Sequence, residues 1–230
     1  MSQLSKLFIV ATPIGNLKDI SARALTTLQE VDLILCEDTR VTKKLLDHYQ
    51  IKKPSLSFHE HSDEKRVREI FNFFKEGKNL ALVTDAGTPG ISDPGGKLIE
   101  QIVQADIPVI IYPIPGSCAA IAALSICGFP TDEFIFLGFP PNKKGRKTFF
   151  ERLAIMQSTI VFYESPYRIL KTMQSLEEII PSRPLVVCKE LTKLHETIYR
   201  GCAKQVTTKI KIGSIRGEWV VVVGKKNLKN

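Results

Sequence analysis

No stretch of this 230-residue chain approaches the roughly 20 consecutive apolar residues that a membrane-spanning helix needs. The apolar run after Met1 to Lys6 is too brief for a secretory signal, so the sequence reads as that of a cytoplasmic protein. Cysteine is sparse: Cys36, Cys118, Cys127, Cys188 and Cys202 are odd in number and never form a CxxC pair, which argues against a disulfide scaffold or a zinc ribbon. Glycine is missing where nucleotide chemistry would require it. Only Gly15 stands in the turn after the first apolar run, although Glu37 mimics the ribose-binding acid, so a GxGxxG dinucleotide site is not expected. A Walker A loop fails too, because Ile91 occupies its first glycine position and Leu98 follows Gly96-Lys97. Internal repeats and low-complexity tracts are also absent.

What remains is an ordinary globular composition, 43% hydrophobic and 24% charged. Branched apolar runs at 7–10, 33–36, 80–83 and 109–112 predict strands buried on both faces. Between them, Ser21 is placed to cap one helix and Asp63 another that Gly77 ends. This alternation implies a mainly parallel sheet with right-handed crossovers. Two prolines and a glycine in 113–116 suggest a boundary between domains 1–113 and 114–230. The second half predicts helices at 117–127, 148–156 and 167–179. Its strands are expected at 134–137, 159–163 and 185–188, with extended segments near 197–199 and 219–223. The formal charge of +8 is uneven. Residues 1–112 hold 14 Lys and Arg against 15 Asp and Glu, leaving 18 against 9 for 113–230, so the halves stand at −1 and +9. The basic half is suited to a polyanion, or simply to solubility.

The stretch 84–96 directly follows a predicted strand, at the edge where open α/β sheets bind ligands. Its glycines and prolines make a stiff wall with few side chains, and Asp85 and Asp93 add negative charge. A turn with helix-capping aspartates is the plainer alternative. Small residues in 115–122 open a helix against which a flat ligand could lie, its free N–H groups facing a carboxylate; tight helix packing would explain them as well. Together the two stretches suit a zwitterion with a ring system and a cation better than a triphosphate.

Six motifs appear in order: TPIGNLKDIS at 12–21, CEDTR at 36–40, DAGTPGISDPG at 85–95, PIPGSCAAIAAL at 113–124, FYESPYR at 162–168 and KELTKLHET at 189–197. They resemble the ribosomal RNA small subunit methyltransferase I family of the tetrapyrrole methylase superfamily. The resemblance implies a two-domain α/β fold, with a mainly parallel N-domain sheet, a mixed C-domain sheet and a cofactor cleft between the domains. It also implies a homodimer, the cofactor S-adenosylmethionine, and 2′-O-methylation of a cytidine ribose in the decoding region of 16S ribosomal RNA, free or in the small subunit. Cofactor positions implied are Ile14, Asp85, Thr88, Ser117, Cys118, Tyr163 and Leu191, with residues 217–220 as weaker candidates. Measured against the resemblance, the family's usual C-terminal extension is expected to be absent. Two alternatives are a methyltransferase for a small tetrapyrrole-like acceptor and a catalytically inactive RNA-binding relative.

The ribose hydroxyl is a poor nucleophile, and Glu37, Lys189 and Glu190 are candidates to accept its proton. Ion pairing is an equally good account of each. Lys143, Lys144, Arg146 and Lys147 form a basic loop beside Phe149 and Phe150, suited to phosphates and base stacking unless the phenylalanines belong to the core. His59 and His61 alternate as on a strand, but no third ligand is evident and no metal is expected.

Overall fold

A computed structural model describes residues 4–59, 62–93 and 95–226, so His61 of the histidine pair and Pro94 of the glycine-rich stretch lie outside the described residues. The chain divides into two compact units, 1–118 and 119–230.

The first unit is built on five parallel strands, β1 (Ser5–Val10), β2 (Leu33–Cys36), β3 (Ser55–Ser57), β4 (Leu80–Leu82) and β5 (Val109–Ile114), in the order β3-β2-β4-β1-β5. Strand side chains alternate between two apolar layers. Leu7, Ile9, Leu35, Leu80 and Leu82 pack against α3 (Glu64–Lys75) and α4 (Gly95–Gln104). Val10, Ile34, Cys36, Ala81 and Val83 face α1 (Ala22–Glu30) and α2 (Thr39–His48). Ser21 and Asp63 cap α1 and α3 as expected, accepting from the Ala24 and Arg66 N–H groups at 3.1 and 2.9 Å. β5 is an edge strand, where a residue without an N–H is tolerated, so it runs through Pro113 to Ile114. β3 ends at Ser57, leaving His59 in the loop beyond it.

The second unit is a mixed sheet in the order β6-β7-β10-β8-β9. Its strands are β6 (Phe134–Phe136), β7 (Thr159–Glu164), β8 (Leu185–Lys189), β9 (Thr197–Gly201) and β10 (Trp219–Val223). In this sheet β6 and β7 pair in parallel, and β10 with β7, β10 with β8 and β8 with β9 pair antiparallel. One face is covered by α6 (Arg146–Ile155), α7 (Ile169–Ile179) and α8 (Ala203–Ile212), around Phe150, Phe162, Met173 and Trp219. The short α5 (Ala119–Ser125) contacts β7 and β10. Among the described residues, α2, β3, α4, α8 and a 3-10 turn at Leu17–Asp19 have no counterpart in the sequence reading.

Candidate functional site

In the first unit the chain leaves β1 toward the α1 layer and leaves the adjacent β4 toward the α4 layer. Neighbouring strands whose connections diverge open a crevice at their carboxyl ends, the usual ligand position in such sheets. Here that crevice is stitched by backbone. Thr12 and Gly87 form an isolated antiparallel bridge, with Thr12 N–H to Gly87 O at 2.9 Å and Gly87 N–H to Thr12 O at 3.1 Å. Thr12 Oγ1 also donates to Thr84 O at 3.1 Å. The loop after β5 joins them, because Thr88 Oγ1 donates to Ser117 O at 3.0 Å. Two glycines make this approach feasible. Gly87 has φ +90°, and a Cβ there would touch Ile14 Cγ2 at 3.4 Å; at Gly116 a Cβ would meet Ala11 Cβ at 2.9 Å. Ile14, Thr88 and Ser117, expected around one ligand, are therefore brought together, with Cys118 next in the chain.

Carboxylates gather beside this stitch. Asp85 Oδ1 accepts from Asp38 N–H at 3.2 Å, and Thr84 Oγ1 donates to Glu37 Oε2 at 3.3 Å. Desolvation pushes the Glu37 carboxyl above the ordinary value, and the neighbouring Asp85 charge pushes it further. Asp85 is raised as well, mainly by desolvation. Asp38 behaves oppositely: hydrogen bonds from the Arg40 side chain and backbone pull it down to about 2. Asp93 serves the loop itself, its Oδ1 accepting from Gly90 and Gly95 N–H at 2.7 and 2.9 Å. The glycine-rich stretch thus contains one capping aspartate, Asp93, and one, Asp85, directed at the acidic cluster. A small-residue wall with adjacent negative charge fits a ligand that carries a flat ring and a cation. Sequence reasoning marked the turn at 12–15 and the stretch 84–96 without giving Thr12 or Thr84 a role; a threonine at the end of each strand, just ahead of a turn, was the available signal.

The remaining expected residues lie in the second unit. Tyr163 accepts from the Ala120 N–H at 3.2 Å and packs near Phe136 and Phe139, at ring distances of 5.1 and 5.4 Å. One N–H at the start of α5 is therefore already satisfied, and that helix begins at Ala119 rather than 117. Register places Tyr163 with Val220 and Cys188 on one face, and Glu164, Trp219 and Lys189 on the other. Lys189 is buried and donates to Ser214 O at 2.6 Å. Glu190 accepts from Lys193 Nζ at 2.8 Å and Glu218 N–H at 2.9 Å. Desolvation would raise its carboxyl, but the Lys193 and Glu218 hydrogen bonds outweigh it, and the group ends below its ordinary value. Leu191 is buried. Of the three proton-acceptor candidates, only Glu37 combines a raised carboxyl with a place at the crevice.

In the basic loop, Lys143, Lys144 and Lys147 are exposed, Lys147 lying 3.7 Å from Glu151. Arg146 differs from the expectation. It is only 7% exposed, donates from Nη2 to Thr172 Oγ1 at 2.6 Å, and lies 3.5 Å from Glu164. A guanidinium this deeply buried needs its counter-ion, so Arg146 anchors the loop from inside instead of facing phosphate. Phe150 is fully buried and Phe149 packs on the same core, so neither offers a face to a base. Arg146→Ala should lower unfolding free energy by about 3–5 kcal/mol, as loss of one partner from a buried pair does. Lys143→Ala should change it by less than about 0.5 kcal/mol. Urea denaturation of both variants checks the contrast.

Residues 6–207 match the family described as Tetrapyrrole (Corrin/Porphyrin) Methylases. A ribosomal RNA small subunit methyltransferase I from Thermotoga maritima is 47% identical over 97% of this chain and 100% of its own length. The one from Bacillus subtilis is 43% identical over 98% of this chain and 77% of its own length. Among solved structures, diphthine synthase (TM-score 0.72, 14% identical, 98% of this chain and 92% of that one) shares the fold. So does cobalt precorrin-4 methyltransferase (TM-score 0.70, 20% identical, 95% and 94%). The stitched crevice, the mixed second sheet and these likenesses agree: the chain belongs to the ribosomal RNA small subunit methyltransferase I family, within the tetrapyrrole methylases.

Proposed function

We propose that this protein methylates the 2′-oxygen of a cytidine ribose in the decoding region of 16S ribosomal RNA, acting on the RNA itself or on the small ribosomal subunit. The observation that carries this reading is Glu37, a carboxyl raised by desolvation, standing beside a glycine-built crevice in a chain 47% identical to a ribosomal RNA methyltransferase. The methyl donor is S-adenosylmethionine, which when bound supplies an electrophilic methyl on a positively charged sulfur. Asp85 offers negative charge to that ligand's cationic part. Ile14, Thr88, Ser117 and Cys118 supply the small, mostly neutral surface, and Tyr163 and Leu191 are further proposed contacts.

The acceptor hydroxyl must lose a proton as its oxygen attacks. Glu37 accepts from the Thr84 hydroxyl at Oε2, which orients its carboxylate, and that carboxylate takes the proton. Its raised pKa makes the ionised form a stronger base than an ordinary glutamate. Asp38 is a poor acceptor, since Arg40 stabilises its charged form, and Glu190 is similarly held by Lys193. Much of the remaining acceleration comes from holding donor and acceptor in near-attack geometry, about 3–3.5 Å apart. Lys143, Lys144 and Lys147 supply positive charge for RNA phosphates.

Incubation with S-adenosylmethionine tritiated on its methyl should label small-subunit ribosomal RNA, with ribose mapping placing the label on a cytidine 2′-oxygen. Label in a porphyrinoid, or in neither acceptor, would sink the reading. Asp85→Ala should weaken calorimetric affinity for S-adenosylmethionine roughly tenfold to hundredfold, because a hydrogen bond or contact to a charged group is lost. Glu37→Gln should cut kcat roughly 10²- to 10⁴-fold while that affinity changes little. Because Glu37 must be ionised to accept a proton, wild-type kcat should fall as pH drops through its raised pKa, beginning at higher pH than for an ordinary glutamate. A pH profile of single-turnover rates for both proteins checks this, and the acid limb should vanish in Glu37→Gln.

A further inference from the structure

The second unit has an aromatic surface that no role above employs. Tyr167, in the turn between β7 and α7, is 94% exposed, and Phe139, in the loop after β6, is 50% exposed. Because β6 and β7 run parallel, both loops leave the same edge of the sheet. Three links fasten them together. Tyr163 N–H donates to Gly138 O at 2.8 Å. Arg168 donates from Nη1 to Pro140 O at 3.0 Å and pairs with Glu164 Oε1 at 2.9 Å. Arg146 reaches Pro141 O at 3.4 Å from the other carboxylate oxygen of the same Glu164. Glu164 itself is buried and also accepts from Thr172 and from the Ser165 N–H. The two loops are therefore presented on a rigid base, with little ordering entropy left to spend on binding.

Charge selects the kind of partner. Residues 139–147 contain Lys143, Lys144, Arg146 and Lys147, and residues 165–171 contain Arg168 and Lys171; neither stretch contains an acid. Lys143, Lys144 and Lys171 are exposed. Exposed aromatic faces near the exposed Lys143, Lys144 and Lys171 match a ligand that carries flat π-systems on a polyanionic backbone. A duplex hides its base faces, so the ligand must be unpaired.

We propose that Tyr167 and Phe139 stack on unpaired bases of an RNA strand whose phosphates lie against Lys143 and Lys144. The proposal rests on the RNA reading above and adds to it a stacking platform. The full chain is titrated into a fluorescein-labelled single-stranded oligoribonucleotide of mixed sequence, followed by anisotropy at several salt concentrations, with the annealed duplex as comparison. Tyr167→Ala should weaken single-strand binding roughly 5- to 150-fold, the range for loss of one stacked base. Tyr167→Trp should restore it, whereas Tyr167→Leu, apolar but without a π-face, should not. The salt slope of Tyr167→Ala should equal that of wild type, while Lys143→Ala should lower it by about 0.7.

Unchanged affinity of Tyr167→Ala, or rescue by leucine, would overturn the stacking assignment while leaving the RNA reading in place. A changed sedimentation coefficient for Tyr167→Ala with unaltered RNA affinity would make this surface a protein contact and overturn it too. Failure of the wild-type protein to bind either RNA would remove both. Tyr167 is almost wholly exposed, so its replacement should leave folding and S-adenosylmethionine affinity as they are.

Discussion

The crevice of the first unit depends on one pair of backbone hydrogen bonds, those between Thr12 and Gly87. Loops that leave a parallel sheet carry N–H and C=O groups with no ladder partner, and at a ligand-binding edge they cannot all be given to water. Pairing the turn after β1 with the turn after β4 satisfies four of these groups at once and fixes how far apart the turns stand. The left-handed φ of Gly87 and the missing Cβ of Gly116 are consequences, because L side chains rarely adopt that φ and a Cβ at Gly116 would meet Ala11 Cβ at 2.9 Å. Once the loops are held, the crevice exists before any ligand arrives, and little ordering cost remains to be met on binding.

Local partners sort the acidic residues. Five carboxylates stand at or near loop ends in the two units, and their chemistry differs because their partners differ. Asp38 is bound by Arg40, Glu190 by Lys193 and the Glu218 backbone, and Asp93 by two backbone N–H groups. The Glu37 carboxylate accepts from the Thr84 hydroxyl and that of Asp85 from the Asp38 N–H, and both sit near like charge with partial loss of solvent. Residues that structure has satisfied are poor proton acceptors.

Much of the fold was legible in the sequence because its signals are local. Continuous apolar runs marked β1, β2, β4 and β5, and Ser21 and Asp63 announced their helices by capping chemistry. The missed elements had mixed signals. α4 opens on Gly95-Gly96, poor helix formers, α8 is rich in lysine and β-branched residues, and β3 is only three residues long. At the site, the motifs singled out Ile14, Asp85, Thr88 and Ser117, but nothing local says that Thr88 and Ser117 touch, or that Arg146 turns inward while Lys143 and Lys144 stay out.

Sequence alone determined the family, the kind of sheet in the first unit and the basic bias of the second half, since composition, periodicity and motif order survive without coordinates. Tertiary structure decided which charged residues are committed to partners and which remain open for chemistry. Glu164, an unremarked acid in sequence, became the buried hub for Arg146 and Arg168, and Glu37 became a carboxyl raised by desolvation beside the crevice. The physical reason is that desolvation and ion pairing depend on neighbours distant in the chain. A carboxylate's role is set by what folding brings to its side, and that information is carried by no single stretch of residues.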